Sequence, residues 1–129
     1  MKKVPTIFER DWDGDRSRVI NSPHRDCEWV FAGEGIATIK LDGTCVMVSG
    51  GKRFKRRELR KGESPPADFE MIDTDNETGK VVGWMPVGDG QDDQWHREAH
   101  GGEAAGTYEL VGPKVQRNPE GWQWHELVR

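Results

Sequence analysis

Two dipeptides, Asp42-Gly43 and Gly50-Gly51, constrain this chain more than any other feature. Each separates runs rich in β-branched residues, and dipeptides of this kind close two-residue hairpins. Residues 35–41, 44–49 and 52–57 therefore read as a three-stranded antiparallel meander. Tight turns fix the register. Lys40 then stands opposite Cys45, and Cys45 opposite Arg56. Residues directly opposite share a face, so Lys40, Cys45 and Arg56 form a row, with Lys40 and Arg56 about 10 Å apart at the backbone. Thr38, Met47 and Phe54 flank it. The other face carries Ala37, Ile39, Leu41, Val46 and Val48 and reads as core. Arg53, Lys55 and Arg57 fall on that apolar face, which requires an overhanging third strand or a bulge.

The remainder is cut into short pieces by sixteen Gly and seven Pro. Residues 10–27 read as a polar loop and 28–32 as a short strand. Residues 58–67, with Pro65-Pro66, read as a loop. Strands are expected over 69–73, 80–85, 107–111 and 122–128, an acidic turn over 73–79, and a short helix over 91–100. The class is α+β, mainly antiparallel sheet, in one domain of 129 residues. Only 33% of residues are hydrophobic, so the core is lean and the six Trp supply much of it.

Charge and cysteine content narrow the function classes. A net charge of −4 gives no global basic field for nucleic acid, although residues 52–61 hold seven cations against Glu58. No apolar run is long enough for a membrane span or a signal peptide. Cys27 and Cys45 are too few for a disulfide framework or an all-thiolate zinc site, which points to free thiols and a cytoplasmic setting. His96 and His100 stand at i, i+4, yet lack a third ligand and read as a solvated helix face rather than a metal site. The Trp residues read as core or edge cover rather than base-stacking platforms.

Lys40 beside Arg56 on one sheet face suits a phosphate group. A lysine whose pKa falls is also a nucleophile. The spacing equally fits a lysine that keeps a strand edge soluble.

Lys40-Leu41-Asp42-Gly43 matches the Lys-x-Asp-Gly signature of covalent nucleotidyltransferases. Lys55-Arg56 falls where RNA ligases carry a basic motif, and residues 107–114 (Thr-Tyr-Glu-Leu-Val-Gly-Pro-Lys) look like their later acidic strand. Residues 4–11 and 121–129 are similar to those of small bacterial and phage RNA-ligase-like proteins. The chain thus resembles the ATP-dependent RNA ligase family over nearly its whole length.

That resemblance implies an adenylation domain of the DNA/RNA ligase type. Lys40 would attack the α-phosphorus of ATP to form lysyl-AMP, and the AMP would pass to 5′-phosphate RNA ends that a 3′-hydroxyl then seals. Asp42 and Gly43 would shape the nucleotide site. Arg56 would contact ribose or phosphate, and Glu109 would bind ribose hydroxyls or help hold Mg²⁺. Cys45 would line the pocket, and Lys114 and Gln116 would face the ligand. Asp42 would order the turn aiming Lys40 by adopting positive φ. Family members also carry a Glu-Gly motif and a Lys-x-Lys pair after the acidic strand; here Glu120-Gly121 sits too early after Glu109 and no Lys-x-Lys follows it. The chain accordingly reads as the front part of such a domain: a truncated piece, a subunit completed by a second chain, or a relic without activity. Alternative readings are a nucleotide- or RNA-end-binding module without chemistry, and a DNA ligase or capping-type member of the same superfamily.

Overall fold

Gly50 and Gly51 adopt φ of 55° and 72°, the left-handed pair a two-residue hairpin turn needs and glycine adopts without steric cost. In the computed structural model, which describes residues 4–76 and 78–129, this turn joins β3 (Thr44–Ser49) to β4 (Lys52–Leu59). Val46 pairs with Lys55, Met47 with Phe54 and Val48 with Arg53, the register the turn dictates.

The chain divides into two compact units, residues 1–39 and 40–129. In the first, β1 (Phe8–Arg10) pairs antiparallel with β2 (Val19–Pro23), so the expected loop over 10–27 contains a strand. A 3-10 turn (Arg25–Cys27) leads into α1 (Glu28–Phe31). This segment was expected as a strand. The His24 imidazole accepts from the Asp26 N–H at 3.1 Å and starts the helical turn, which overrides the β propensity of Val30 and Phe31. Phe31 packs edge-on against Phe8 with centroids 5.6 Å apart.

The second unit is built on one sheet. β5 (Glu70–Thr74), β6 (Val81–Pro86), β7 (Gly106–Val111) and β8 (Glu126–Val128) join β3 and β4 in the order β5-β6-β4-β3-β7-β8. Its named strand pairs are antiparallel. With two short helices, the class is α+β, mostly antiparallel sheet.

The expected meander is corrected at its first strand: residues 35–41 form none. The second edge of β3 belongs to β7, with Thr44 opposite Leu110, Cys45 opposite Glu109 and Val46 opposite Tyr108. Burial decides the competition. β7 brings Tyr108, Leu110 and Val111 into the interior, whereas Ile36 and Ile39 remain 92% and 89% exposed. Sequestering an aliphatic side chain is worth about 1.5–3 kcal/mol.

One sheet face holds the core: Val46, Val48, Tyr108, Leu110 and Leu127, with Val115 and Ala99 packed on it and Trp95 alongside. Its cover is a 3-10 turn (Gln91–Asp93) running into α2 (Gln94–Glu98). The helix expected over 91–100 ends at Glu98, so His96 and His100 do not share a helical face; His100 instead makes a parallel bridge to Glu126.

This cover explains the cations on the apolar face without a bulge. Lys55 pairs with Asp93, which is only 6% exposed. Arg53 donates to the carbonyls of His96 (2.6 Å), Arg97 (3.2 Å) and Gly101 (2.8 Å). Carbonyls at a helix C-terminus attract cations, so α2 neutralises the strand it covers. Burial pushes the Asp93 carboxyl up, but hydrogen bonds from Lys55 and the Gly88 N–H hold it below its ordinary range.

Breaking this pair leaves Lys55 uncompensated. Asp93→Ala is expected to cost about 3 kcal/mol, the lower end for a buried pair because Lys55 is partly solvated, read as a lower urea midpoint. A second outcome concerns pH. Burial lowers His96 against the pull of Asp93, with Lys55 and Arg53 pushing the same way as burial. Burial also lowers His125 against Glu98, with Lys114 assisting. The folded chain therefore holds both imidazoles neutral, while the unfolded chain takes up protons first as pH falls. Their contribution is complete above the ordinary imidazole pKa and is lost as pH drops through it. The urea midpoint should fall from about pH 7.5 to about pH 6, and fall less in His96→Gln.

Candidate functional site

The sheet face opposite the core carries the site. The β5–β6 and β6–β4 pairings place Glu70 opposite Trp84 and Trp84 opposite Arg56. The β3–β4 register sets Cys45 beside Arg56, and Cys45 pairs with Glu109, which pairs with Val128. One row therefore crosses all six strands: Glu70, Trp84, Arg56, Cys45, Glu109, Val128. Trp84 is 6% exposed and backs the row, a role expected of a core or edge Trp.

Glu109 is the centre of the electrostatics. Burial pushes its carboxyl above the ordinary range. Lys40, the Gly43 N–H and Arg56 pull it back down, while Asp42 adds to the rise. Lys40 and Arg56 thus both pull down the same carboxylate. Cys45 sits half-buried between charges. Burial and Glu109 raise its thiol pKa against the opposing pull of Arg56, which keeps it protonated and poorly nucleophilic. Cys27 and Cys45 are free thiols.

The approach of Lys40 differs from the expected geometry. Lys40 does not pair with Cys45, because no strand forms there. It lies on the chain leading into β3, and its ammonium donates to the Leu41 carbonyl at 3.4 Å. Neither Asp42 nor Gly43 has positive φ, so the expected hairpin, and the left-handed Asp42 with it, is corrected. Gly43 is needed for proximity. A Cβ there would lie 2.3 Å from the Leu110 carbonyl oxygen and 2.8 Å from Glu109 Cγ. That approach lets the Gly43 N–H donate to Glu109 Oε1 at 3.1 Å. Next to it, the Asp42 N–H donates to Glu120 Oε1 at 3.0 Å. Two carboxylates grip two successive amides just downstream of Lys40.

Of the expected site residues, Lys40, Asp42, Gly43, Arg56 and Glu109 come together here. The Lys114 backbone N–H donates to His125 Nε2 at 3.3 Å, and His125 stacks on Trp95 at 4.7 Å. Glu120 was missed. Residues 118–121 (Asn-Pro-Glu-Gly) read as turn punctuation, and nothing local ties that turn to residue 42.

Three cations of the basic run are engaged within the chain, and its one acid, Glu58, is taken by Lys80. Lys55 and Arg53 serve α2, Arg57 pairs with Glu63 at 3.3 Å, and Lys80 pairs with Glu58 at 2.5 Å. Among the described residues, no hydrogen bond or ion pair engages the Arg56 guanidinium. No group of three or more His, Cys, Asp or Glu among those residues is arranged to hold a metal ion. No described helix is long and apolar enough to cross a membrane. The chain matches no protein-family model and no curated protein.

Gly43→Ala tests the close approach. Overpacking against a strand backbone costs about 1–3 kcal/mol, so the variant should melt lower and lose protection of the Gly43 amide in hydrogen exchange.

Proposed function

We propose that this protein is an RNA-ligase-like nucleotidyltransferase whose Lys40 accepts the adenylyl group of ATP. The observation that carries the reading is that Lys40 and the row cation Arg56 both draw on the Glu109 carboxylate. Among the described residues, the Lys40 ammonium hydrogen-bonds to the neighbouring Leu41 carbonyl, and the half-buried Arg56 has no hydrogen-bond or ion-pair partner. The neighbouring cations Arg53, Lys55 and Arg57 are satisfied internally. A partly buried, unpaired guanidinium is stabilised by an external anion, and its planar fork suits phosphate oxygens.

Lys40 attacks the α-phosphorus through its side-chain nitrogen, which releases two protons to solvent in going from ammonium to phosphoramidate N–H. An N–P bond forms, the bond to the pyrophosphate oxygen breaks, and pyrophosphate leaves with the electron pair. Arg56 neutralises charge developing on the phosphate oxygens, the kind of contribution on which phosphoryl chemistry chiefly depends. A 5′-phosphate RNA end would then take the AMP, and a 3′-hydroxyl would displace it. One oxygen of Glu109 remains beyond its bond to Gly43. That fits Mg²⁺, which is commonly held by one or two carboxylates together with substrate phosphates and water; such an ion would supply charge neutralisation on the leaving pyrophosphate.

A second reading has the same face bind nucleotide or RNA ends without chemistry. The exposure of Lys40 favours it, since a side chain open to solvent is not held in line with a reacting phosphorus. Incubation with ATP labelled at the α-phosphate and Mg²⁺, followed by a denaturing gel, separates the two. A band in the unaltered protein, absent in Lys40→Ala and reduced about 10²–10³-fold in Arg56→Ala, is the expected result. No band from folded protein that still binds ATP overturns adenylyl transfer in favour of the binding module.

A further inference from the structure

The loop from Gly112 to Trp122 has an unusual backbone. Gln116, Arg117 and Asn118 follow one another at φ of 44°, 64° and 52°. L-residues disfavour this region, and three in succession without glycine require the surroundings to impose it. Successive turn bonds hold the loop: Val115 N–H to Gly112 O at 3.0 Å, Asn118 N–H to Val115 O at 2.8 Å and Gly121 N–H to Asn118 O at 3.1 Å. Val115, buried in the core, anchors one end. At the other, the Asn118 side chain brackets Trp122, accepting from its N–H at 2.8 Å and donating to its carbonyl at 2.9 Å. Glu120 lies between these anchors, and its carboxylate accepts from the Asp42 N–H, 78 positions away in sequence.

Strained backbone held at both ends and delivering one side chain to a distant amide has the form of a positioning device. We infer that Glu120 is a positioning residue for Lys40: it acts as a hydrogen-bond acceptor that pins the Asp42 amide, while Glu109 pins Gly43. The inference rests on the reading of Lys40 as the adenylylated amine. Lys40 lies outside any strand, so nothing in the sheet ladder fixes it. The two carboxylates take the ladder's place, gripping consecutive amides and limiting the directions the amine can explore. Glu120 performs no chemistry; it holds the segment that does.

The role requires an acceptor oxygen and no charge, which the full chain can test with Glu120→Ala and Glu120→Gln. Alanine removes the acceptor; glutamine keeps one in its amide carbonyl. At saturating ATP, Glu120→Ala should form labelled lysyl-AMP about tenfold more slowly, the equivalent of about 1.4 kcal/mol, with half-saturation by ATP within about twofold, because only the reacting geometry is disturbed. Glu120→Gln should recover most of the rate. Amide hydrogen exchange gives a readout independent of chemistry: the Asp42 N–H should exchange faster in Glu120→Ala and near the unaltered rate in Glu120→Gln. Unchanged Asp42 exchange in Glu120→Ala overturns the inference, as does a glutamine variant no better than alanine in rate. Faster exchange in Glu120→Ala with no label in the unaltered protein overturns adenylyl transfer at Lys40 while the amide clamp stands.

Discussion

The pairing of β3 with β7 decides where Glu109 stands and leaves the Lys40 segment outside the sheet. It aligns Cys45 with Glu109 and Val46 with Tyr108, which sends Glu109 to one face and Tyr108 to the core. It also brings the Leu110 carbonyl so close to Gly43 that no Cβ fits between them. Since β4 already occupies the other edge of β3, no edge remains for residues 35–41. The segment carrying Lys40 is thereby left outside the ladder and dependent on side chains for its position.

Charge is partitioned by face. On the core side, cations that look misplaced in the sequence become structural once Asp93 and the carbonyls around α2 meet them. On the opposite side, Arg56 keeps its charge free of such partners, and Glu109 rises above its ordinary range through burial despite two nearby cations. Buried ion pairs seldom add much net stability, but removing one partner is costly. Asp93 therefore fixes how α2 docks more than it strengthens the fold. The same alternation of side chains that lets β4 meet α2 on one side turns Arg56 to the opposite face.

The Glu109 and Glu120 contacts tie two distant parts of the chain to adjacent amides. Glu109 comes from a regular strand, so its aim follows from the pleat. Glu120 comes from a loop that departs from favoured backbone at three successive residues. A site assembled this way puts rigidity where the sheet provides none, which is what an exposed lysine needs if its direction is to matter.

Much of the framework follows from local chemistry. Gly50-Gly51 sets the β3–β4 register because a two-residue turn with two left-handed residues admits one pairing. The strands over 70–74, 81–86 and 106–111 follow from β-branched and aromatic runs bounded by turn residues. That register also puts Arg56 beside Cys45, whereas Glu109 stood out only through the resemblance of residues 107–114 to a family motif. The sequence could not say that β7, rather than residues 35–41, would take the free edge of β3; that choice depends on comparing apolar area buried at long range, which no window of neighbours contains. Nor could it show that Asp93 would neutralise Lys55, or that Glu120 would reach Asp42. Such contacts join residues tens of positions apart, and only the folded backbone brings them within a hydrogen bond.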